Sequence, residues 1–237
     1  MKVAVVTGGS RGIGLGVVKM LCDRGYRVLA SYASNIEAAA DAERQTEGKA
    51  TFFKANHADR RQTYAFIDFI RQQVDAIDCI ICNAGTTVRR RFEDTTDAEW
   101  DGVMEVAVHA HFILLRELFP LVKDGARIVF TGSTMGIYPH ATAPIYGVSK
   151  TAVHGMVKNL AKVFETKQAT VNAVAPGFVE TDWQKDKPMH IRQNICQKTA
   201  IHRFATIDEI VSAYAFCIDN AFVNGSIIEV NGGYSYQ

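Results

Sequence analysis

The sequence predicts a doubly wound α/β fold, with about seven parallel strands in one sheet and helices on both of its faces. Three observations predict it. Short apolar runs without polar alternation recur along the chain, as strands read when both faces of a parallel sheet are covered. Segments with helical apolar spacing lie between those runs, which is the alternation that builds layered α/β architectures. A glycine-rich turn joins the first run to the first helical segment.

The candidate strands are residues 3–6, 28–30, 51–53, 77–82, 128–130, 171–175 and 227–230. After the first, Ile13, Val17, Met20 and Leu21 fall at i, i+4, i+7 and i+8, which puts one apolar stripe on a helix that Gly25 ends. The third helix repeats this logic with Phe66, Ile67, Ile70 and Val74. Two longer helical segments are expected at about 98–122 and 145–166.

At 237 residues, with 48% apolar and 22% charged side chains, the chain can bury a sizeable core, and no linker-like segment or repeat divides it. A single domain over 1–237 is expected. A net charge of +1 argues against a broad nucleic-acid surface; Arg89, Arg90 and Arg91 form the only basic run. The apolar stretch in MKVAVVTGG stops at Val6, and no later run reaches membrane-spanning length, so a soluble cytoplasmic protein is expected. Five cysteines are scattered, unlike a disulfide framework. Cys79 and Cys82 form C-x-x-C inside a strand, where residues three apart face opposite ways, so no metal or redox role is assigned.

The turn Thr7-Gly8-Gly9-Ser10-Arg11-Gly12-Ile13-Gly14 opens a helix, and free N–H groups at a helix start suit a pyrophosphate. A tight turn before a buried helix has the same composition, but the strand before it and the helix after it favour a dinucleotide. A site for NAD places an acid at the end of the second strand to hold the ribose 2′-hydroxyl. Here that stretch is Leu29-Ala30-Ser31-Tyr32-Ala33-Ser34, with no acid. Arg11 can pair with a 2′-phosphate through its planar guanidinium, with Ser34 or Asn35 adding hydrogen bonds, so NADPH is expected over NADH. Arg11 as a solvated loop charge is the alternative. The candidate cofactor residues here are Gly8, Ser10, Arg11, Gly12, Ile13, Gly14, Tyr32, Ala33 and Ser34.

Further motifs follow at strand ends: Asn83-Ala84-Gly85, Ser133, Tyr146-Gly147-Val148-Ser149-Lys150, Pro176-Gly177 and Val230-Asn231-Gly232-Gly233. Tyr146 lies thirteen residues after Ser133, and Lys150 four after Tyr146. In this order and spacing the chain resembles the short-chain dehydrogenase/reductase family from end to end, and so a Rossmann-type fold. The resemblance implies a carbonyl reductase working through Ser133, Tyr146 and Lys150. Tyrosine and lysine four apart share one helix face, and an ammonium beside the phenol is expected to lower its pKa towards neutrality. Ser133 and Tyr146 can then stabilise the negative charge that grows on a carbonyl oxygen under hydride attack, while Tyr146 delivers the proton. The resemblance further implies that Lys150 binds the nicotinamide ribose, Asn56 and His57 the adenine, and Asn83, Ala84 and Gly85 the ribose. Pro176, Gly177, Val179 and Thr181 would flank the nicotinamide and phosphates. Asn83 also reads as a purely structural tie between strands.

One departure stands out: the family's active-site asparagine aligns with Ala107. An alanine keeps the main-chain carbonyl that helps hold a water linked to the lysine, but loses side-chain support for a local helix distortion. Activity is expected, with a weakened proton relay to which His109 or His111 could contribute. A catalytically decayed NADP(H)-binding protein is the competing reading, and Ala107 is the one feature that favours it.

Within the family the motifs read most like the 3-oxoacyl-acyl-carrier-protein reductases, which implies a 3-oxoacyl thioester substrate and a homotetramer. Residues 183–198, with Trp183, Met189 and Ile191 among charges, read as a mobile lid. An acidic acyl carrier protein needs basic residues near the mouth, and Arg89, Arg90, Arg91 and Lys167 are the candidates. A free small ketone, sugar or polyketide-like carbonyl is the alternative substrate.

Overall fold

The computed structural model describes residues 1–139 and 143–234. In chain order the elements are β1 (Lys2–Val6), α1 (Gly12–Asp23), β2 (Tyr26–Tyr32), α2 (Ile36–Gln45), β3 (Ala50–Lys54), α3 (Arg60–Gln73) and β4 (Ile77–Cys82). They continue with α4 (Asp97–Met104), α5 (Ala110–Leu118), β5 (Val122–Thr131), α6 (Pro144–Val163), β6 (Thr170–Pro176), α7 (Met189–Lys198), α8 (Ile207–Asp219) and β7 (Ile227–Val230). The seven strands lie in the order β3-β2-β1-β4-β5-β6-β7, every adjacent pair parallel. This is the Rossmann-type sheet the sequence predicts. The direction of winding reverses between β1 and β4, and such a switch point opens a crevice beyond the strands' C-terminal ends.

Two cores cover the sheet. On one face Phe66, Ile67 and Ile70 of α3, Leu114 and Leu118 of α5, and Val153 and Val157 of α6 pack on Ile80, Cys82, Ile128 and Phe130. On the other, Val17, Val18 and Leu21 of α1 and Ile210, Tyr214 and Cys217 of α8 pack on Val6, Val28, Cys79 and Ile81. Cys79 and Cys82 thus face opposite cores as free buried thiols, as strand geometry requires. The helices α1 and α8 approach closely because Gly16 has no side chain; a Cβ there would lie 2.5 Å from Ile207. Thr96 with Glu99 and Thr206 with Glu209 form capping boxes that satisfy the first N–H groups of α4 and α8.

The expected helix over 98–122 needs correction. It starts at Asp97, passes through a π turn at Glu105–His109 and stops at Leu118. Pro120 has no N–H to continue it, a 3₁₀ turn follows, and Val122 already pairs with Ile77 as the start of β5. Likewise α6 begins with Pro144 at its favoured first-turn position and ends at Val163, before a 3₁₀ turn. Among the described residues no helix is long and apolar enough to cross a membrane, and no three His, Cys, Asp or Glu side chains gather as a metal site.

Candidate active site

A cleft of about 520 Å³ opens at the switch point. Its floor is the turn after β1, where Gly8 and Gly12 take positive φ of 66° and 55° that side chains rarely adopt. A Cβ on Gly14 would fall 2.1 Å from the Gly8 carbonyl oxygen. The α1 N-terminus carries no side-chain cap, so its N–H groups face the cleft for an anion. Ser31 Oγ accepts the Gly8 N–H at 3.1 Å, and Asn83 Nδ2 donates to the Gly8 carbonyl at 2.9 Å. The Thr7 hydroxyl accepts the N–H groups of Asn83 and Ala84, each at 2.9 Å. Asn83 therefore ties β1 to β4 while Ala84 and Gly85 line the cleft. These features fit a dinucleotide pyrophosphate.

The end of β2 supplies Tyr32 and Ala33 to the wall, and no acid. Ser34 stands exposed outside that lining, and the Asn35 side chain caps α2 by accepting the Ala38 N–H at 2.9 Å. Arg11 lies exposed on the cleft wall with no ion pair among the described residues. Asn56 and His57 line the cleft as expected. His57, however, is buried between Ser31 Oγ at 2.8 Å and Thr63 Oγ1 at 3.0 Å, and burial pushes its pKa down to about 4. Both ring nitrogens are spent on bracing β2 against α3.

Ser133, Tyr146 and Lys150 come together beyond β5. Ser133 starts a short 3₁₀ turn, its Oγ accepting the Met135 N–H at 3.1 Å, and its hydroxyl bonds to the Tyr146 phenol. Lys150 Nζ, one helical turn on, lies 5.5 Å from the Tyr146 ring centre and donates to the Thr131 carbonyl at 2.7 Å. The expected fall of the phenol towards neutrality is not present. Burial raises Tyr146 to about 12, outweighing the Ser133 bond and the charge of Arg89, while burial lowers Lys150 to about 8. The ammonium is directed at a backbone carbonyl rather than at the phenol oxygen, and Tyr146 stays in its acid form at neutral pH.

Sequence reasoning missed His154, one turn beyond Lys150 on the same helix face. Its Nε2 accepts the Ser133 N–H at 3.4 Å, its other ring nitrogen bonds the Gly136 carbonyl, and its pKa is pushed down to about 4, chiefly by burial. Its ring fills the space a Cβ would need at Gly132, only 2.4 Å away.

The π turn survives the alanine at 107. His111 Nδ1 donates to the Ala107 carbonyl at 3.0 Å, and its Nε2 accepts the Thr7 hydroxyl at 2.9 Å. Burial pushes His111 down to about 3, so it does not titrate near neutrality. His109 sits on the surface, 2.9 Å from Glu105, which also binds Arg60 at 2.6 Å. The expected relay role of these two histidines therefore has no support in the geometry.

Pro176, Gly177, Val179 and Thr181 line the cleft beyond β6, and a Cβ at Gly177 would meet the Asn231 backbone at 2.9 Å. Trp183 meets the Tyr146 ring edge-on at 6.0 Å. The segment read as a lid holds a 3₁₀ turn at Asp182–Gln184 and α7, with Met189 and Ile191 exposed. Of the basic run, Arg90 pairs with Glu99, and Arg91 with Glu93. Lys167 lies over Phe119, before the start of β5, so at the N-terminal ends of the strands, opposite the end that bears the cleft; its expected place near the mouth is wrong.

Known proteins agree with this geometry. The family described as short chain dehydrogenase matches residues 2–191, and the chain belongs to it. It is an oxidoreductase acting on CH–OH or ketone groups. A 2-dehydro-3-deoxy-D-gluconate 5-dehydrogenase of Pseudoalteromonas atlantica is 31% identical, with 98% of this chain and 95% of that protein covered. A 3-oxoacyl-[acyl-carrier-protein] reductase of Thermotoga maritima is 29% identical, with 98% and 97% covered. A short chain dehydrogenase from Burkholderia cenocepacia, solved in complex with NADP, superposes with a TM-score of 0.92 at 28% identity, covering 98% of this chain and 97% of that one.

Proposed function

We propose that the protein is an NADPH-dependent ketone reductase, one domain over 1–237, in which Ser133, Tyr146 and Lys150 carry the chemistry. The observation that carries this reading is the Ser133–Tyr146 hydroxyl pair beside Lys150 at the switch-point cleft. The cofactor, when bound, supplies the hydride. Ser133 and Tyr146 hold the carbonyl oxygen, and the protonated phenol gives that oxygen its proton as negative charge develops there. Lys150 holds the nicotinamide ribose. NADPH over NADH rests on the missing acid after β2 and on the unpaired Arg11, and the NADP-bound relative supports it.

The relatives named above act on a sugar acid and on a carrier-bound acyl group. A 3-oxoacyl thioester on acyl carrier protein is one substrate reading. The ion pairs of Arg90 and Arg91 and the remote Lys167 leave Arg89 as the one docking candidate, which favours a free small carbonyl. The intact π turn speaks against a decayed binding protein. Loss of reduced-nicotinamide absorbance with a panel of small ketones and β-ketoacyl thioesters tests the reading. No oxidation of NADPH by wild type, or undiminished oxidation by Tyr146→Phe, would overturn it.

A further inference from the structure

We propose that the mouth of the cleft selects an anionic, hydroxylated carbonyl compound, with Arg89 and Lys187 holding its anionic substituent and Gln184 a hydroxyl; this rests on the ketone-reductase reading. Arg89 follows the cleft-lining residue Thr86 by three positions, and Lys187 follows the cleft-lining Gln184 by three. The two cations approach from different loops and lie within Coulombic reach of each other; Arg89 also acts on the Tyr146 phenol. Neither has a carboxylate partner among the described residues.

Their surroundings make this unusual for surface charges. Lys187 is part-buried, its Nζ 5.8 Å from the centre of the Phe178 ring, and its backbone N–H donates to the Gln184 carbonyl at 3.1 Å. The charged groups that act on it are Arg89 and Arg192, both positive. Arg192 itself is spent on Glu180 at 2.5 Å and on the Phe204 ring at 4.5 Å. Asp182, which also lines the cleft, and Asp186 are exposed neighbours in sequence, and neither pairs with Lys187 among the described residues. Like charges gathered around a half-buried ammonium cost free energy in the free protein, and a bound anion relieves that cost.

Gln184 gives an independent observation. The residue lines the same cleft, is only 7% exposed, and its Oε1 is buried without a hydrogen-bond partner among the described residues. A buried amide oxygen left unsatisfied costs stability. A substrate hydroxyl satisfies it. The guanidinium and ammonium then hold a carboxylate or phosphate on the same molecule, with the carbonyl under Tyr146.

The test compares keto acids and ketose phosphates with matched neutral esters and ketoses, with turnover by wild type, Arg89→Leu, Lys187→Met and Gln184→Leu. Wild type should prefer one class of anion over its neutral counterpart. Each cation variant should raise KM for that anion about tenfold, leaving KM for the neutral compound and for NADPH unchanged. Gln184→Leu should raise KM only for substrates that carry the hydroxyl. Equal effects on charged and neutral members, or no preference by wild type, overturn the proposal. Calorimetric titration of the NADP+-loaded protein with the same acids and phosphates separates the two readings. Binding without turnover of any carbonyl overturns the reductase and leaves the anion site standing, whereas reduction of neutral ketones with no anion bound overturns the anion site alone.

Discussion

The Nδ1–H of His111 meets the carbonyl oxygen of Ala107 at 3.0 Å, one turn back along the same helix. The ring's other nitrogen takes the Thr7 hydroxyl, which in turn accepts the N–H groups of Asn83 and Ala84. One neutral imidazole thus links the π turn, the glycine-rich turn and the strand end at β4. It supplies the helix support that an asparagine side chain at 107 was expected to provide. Ala107→Asn should therefore change turnover little. His111→Phe should cost stability, because it removes a bond to the Ala107 carbonyl and leaves the buried Thr7 hydroxyl only the Ile81 carbonyl, 3.5 Å away, as an acceptor; about 2–4 kcal/mol is expected. Thermal unfolding of both variants checks this, and a destabilised Ala107→Asn with a tolerant His111→Phe would reverse the assignment.

Three buried histidines make the fold acid-sensitive. His57 and His154 have pKa values pushed down to about 4, and His111 to about 3, against 6.5 for the exposed group. Between those values and 6.5 the unfolded chain binds protons that the native state excludes, so stability is lost as pH falls through that window. Each contributes roughly 3–5 kcal/mol at most, His111 the largest share, at about 1.4 kcal/mol per pH unit. Denaturant midpoints should drop steeply from pH 6.5 to 4, and His57→Gln should soften the slope. A midpoint flat across that range would contradict the buried neutral state.

The pH dependence of reduction follows from Lys150. Its pKa is lowered to about 8 by burial, whereas the Tyr146 phenol keeps its proton to about 12. The kcat/KM for a ketone should stay level below about pH 8 and decline above it, as the ammonium is lost before the phenol. Lys150→Arg keeps a charge that does not titrate, so its residual activity should show no such decline. A profile that first falls near pH 10 would place the limiting group elsewhere. Tyr146→Phe should reduce kcat by about 10²–10⁴-fold.

Much of this was legible in the residues. Uninterrupted apolar runs predicted a parallel sheet, because burial on both faces leaves little freedom of composition, and the glycine turn predicted an anion site at the start of the first helix. The strands ran longer than their apolar centres: β2 extends from Tyr26 to Tyr32 because backbone pairing does not stop at polar residues such as Arg27 and Ser31. The sequence pattern left α2 undescribed, for it buries only Ala39 and Ala42 and so shows a weak stripe. The partners of a side chain were the least legible. Nothing local says that Arg90 and Arg91 find Glu99 and Glu93 while Arg89 finds no carboxylate among the described residues, or that Lys150 turns to Thr131. His154 did carry a signal, its i+4 spacing from Lys150, which puts both on the face that meets the Ser133 turn.

Assembly gives a further test. Phe112 of α5 is 47% exposed, and Val148 and Val163 of α6 are 48% and 52% exposed. These helices are the ones that pair across subunits in the homotetramer the family resemblance implies. Phe112→Glu should shift the mass seen by light scattering from four chains to a smaller species. A monomeric wild type at micromolar concentration would remove the tetramer from the reading.

The last prediction concerns which nicotinamide cofactor is used. The wall after β2 offers Tyr32 and Ala33 and no carboxylate, and Arg11 stands beside the glycine turn without an ion pair among the described residues. A guanidinium on a 2′-phosphate makes charge-assisted hydrogen bonds of about 1.5–3 kcal/mol, so Arg11→Ala should raise KM for NADPH roughly 10- to 100-fold. KM for NADH should not move, since NADH has no 2′-phosphate for Arg11 to hold. Ala33→Asp tests the converse. A carboxylate there repels the phosphate and accepts the free 2′-hydroxyl, so the ratio of kcat/KM values should swing towards NADH. If Arg11→Ala weakens both cofactors equally, Arg11 supports the turn rather than the phosphate, and the preference must come from another group.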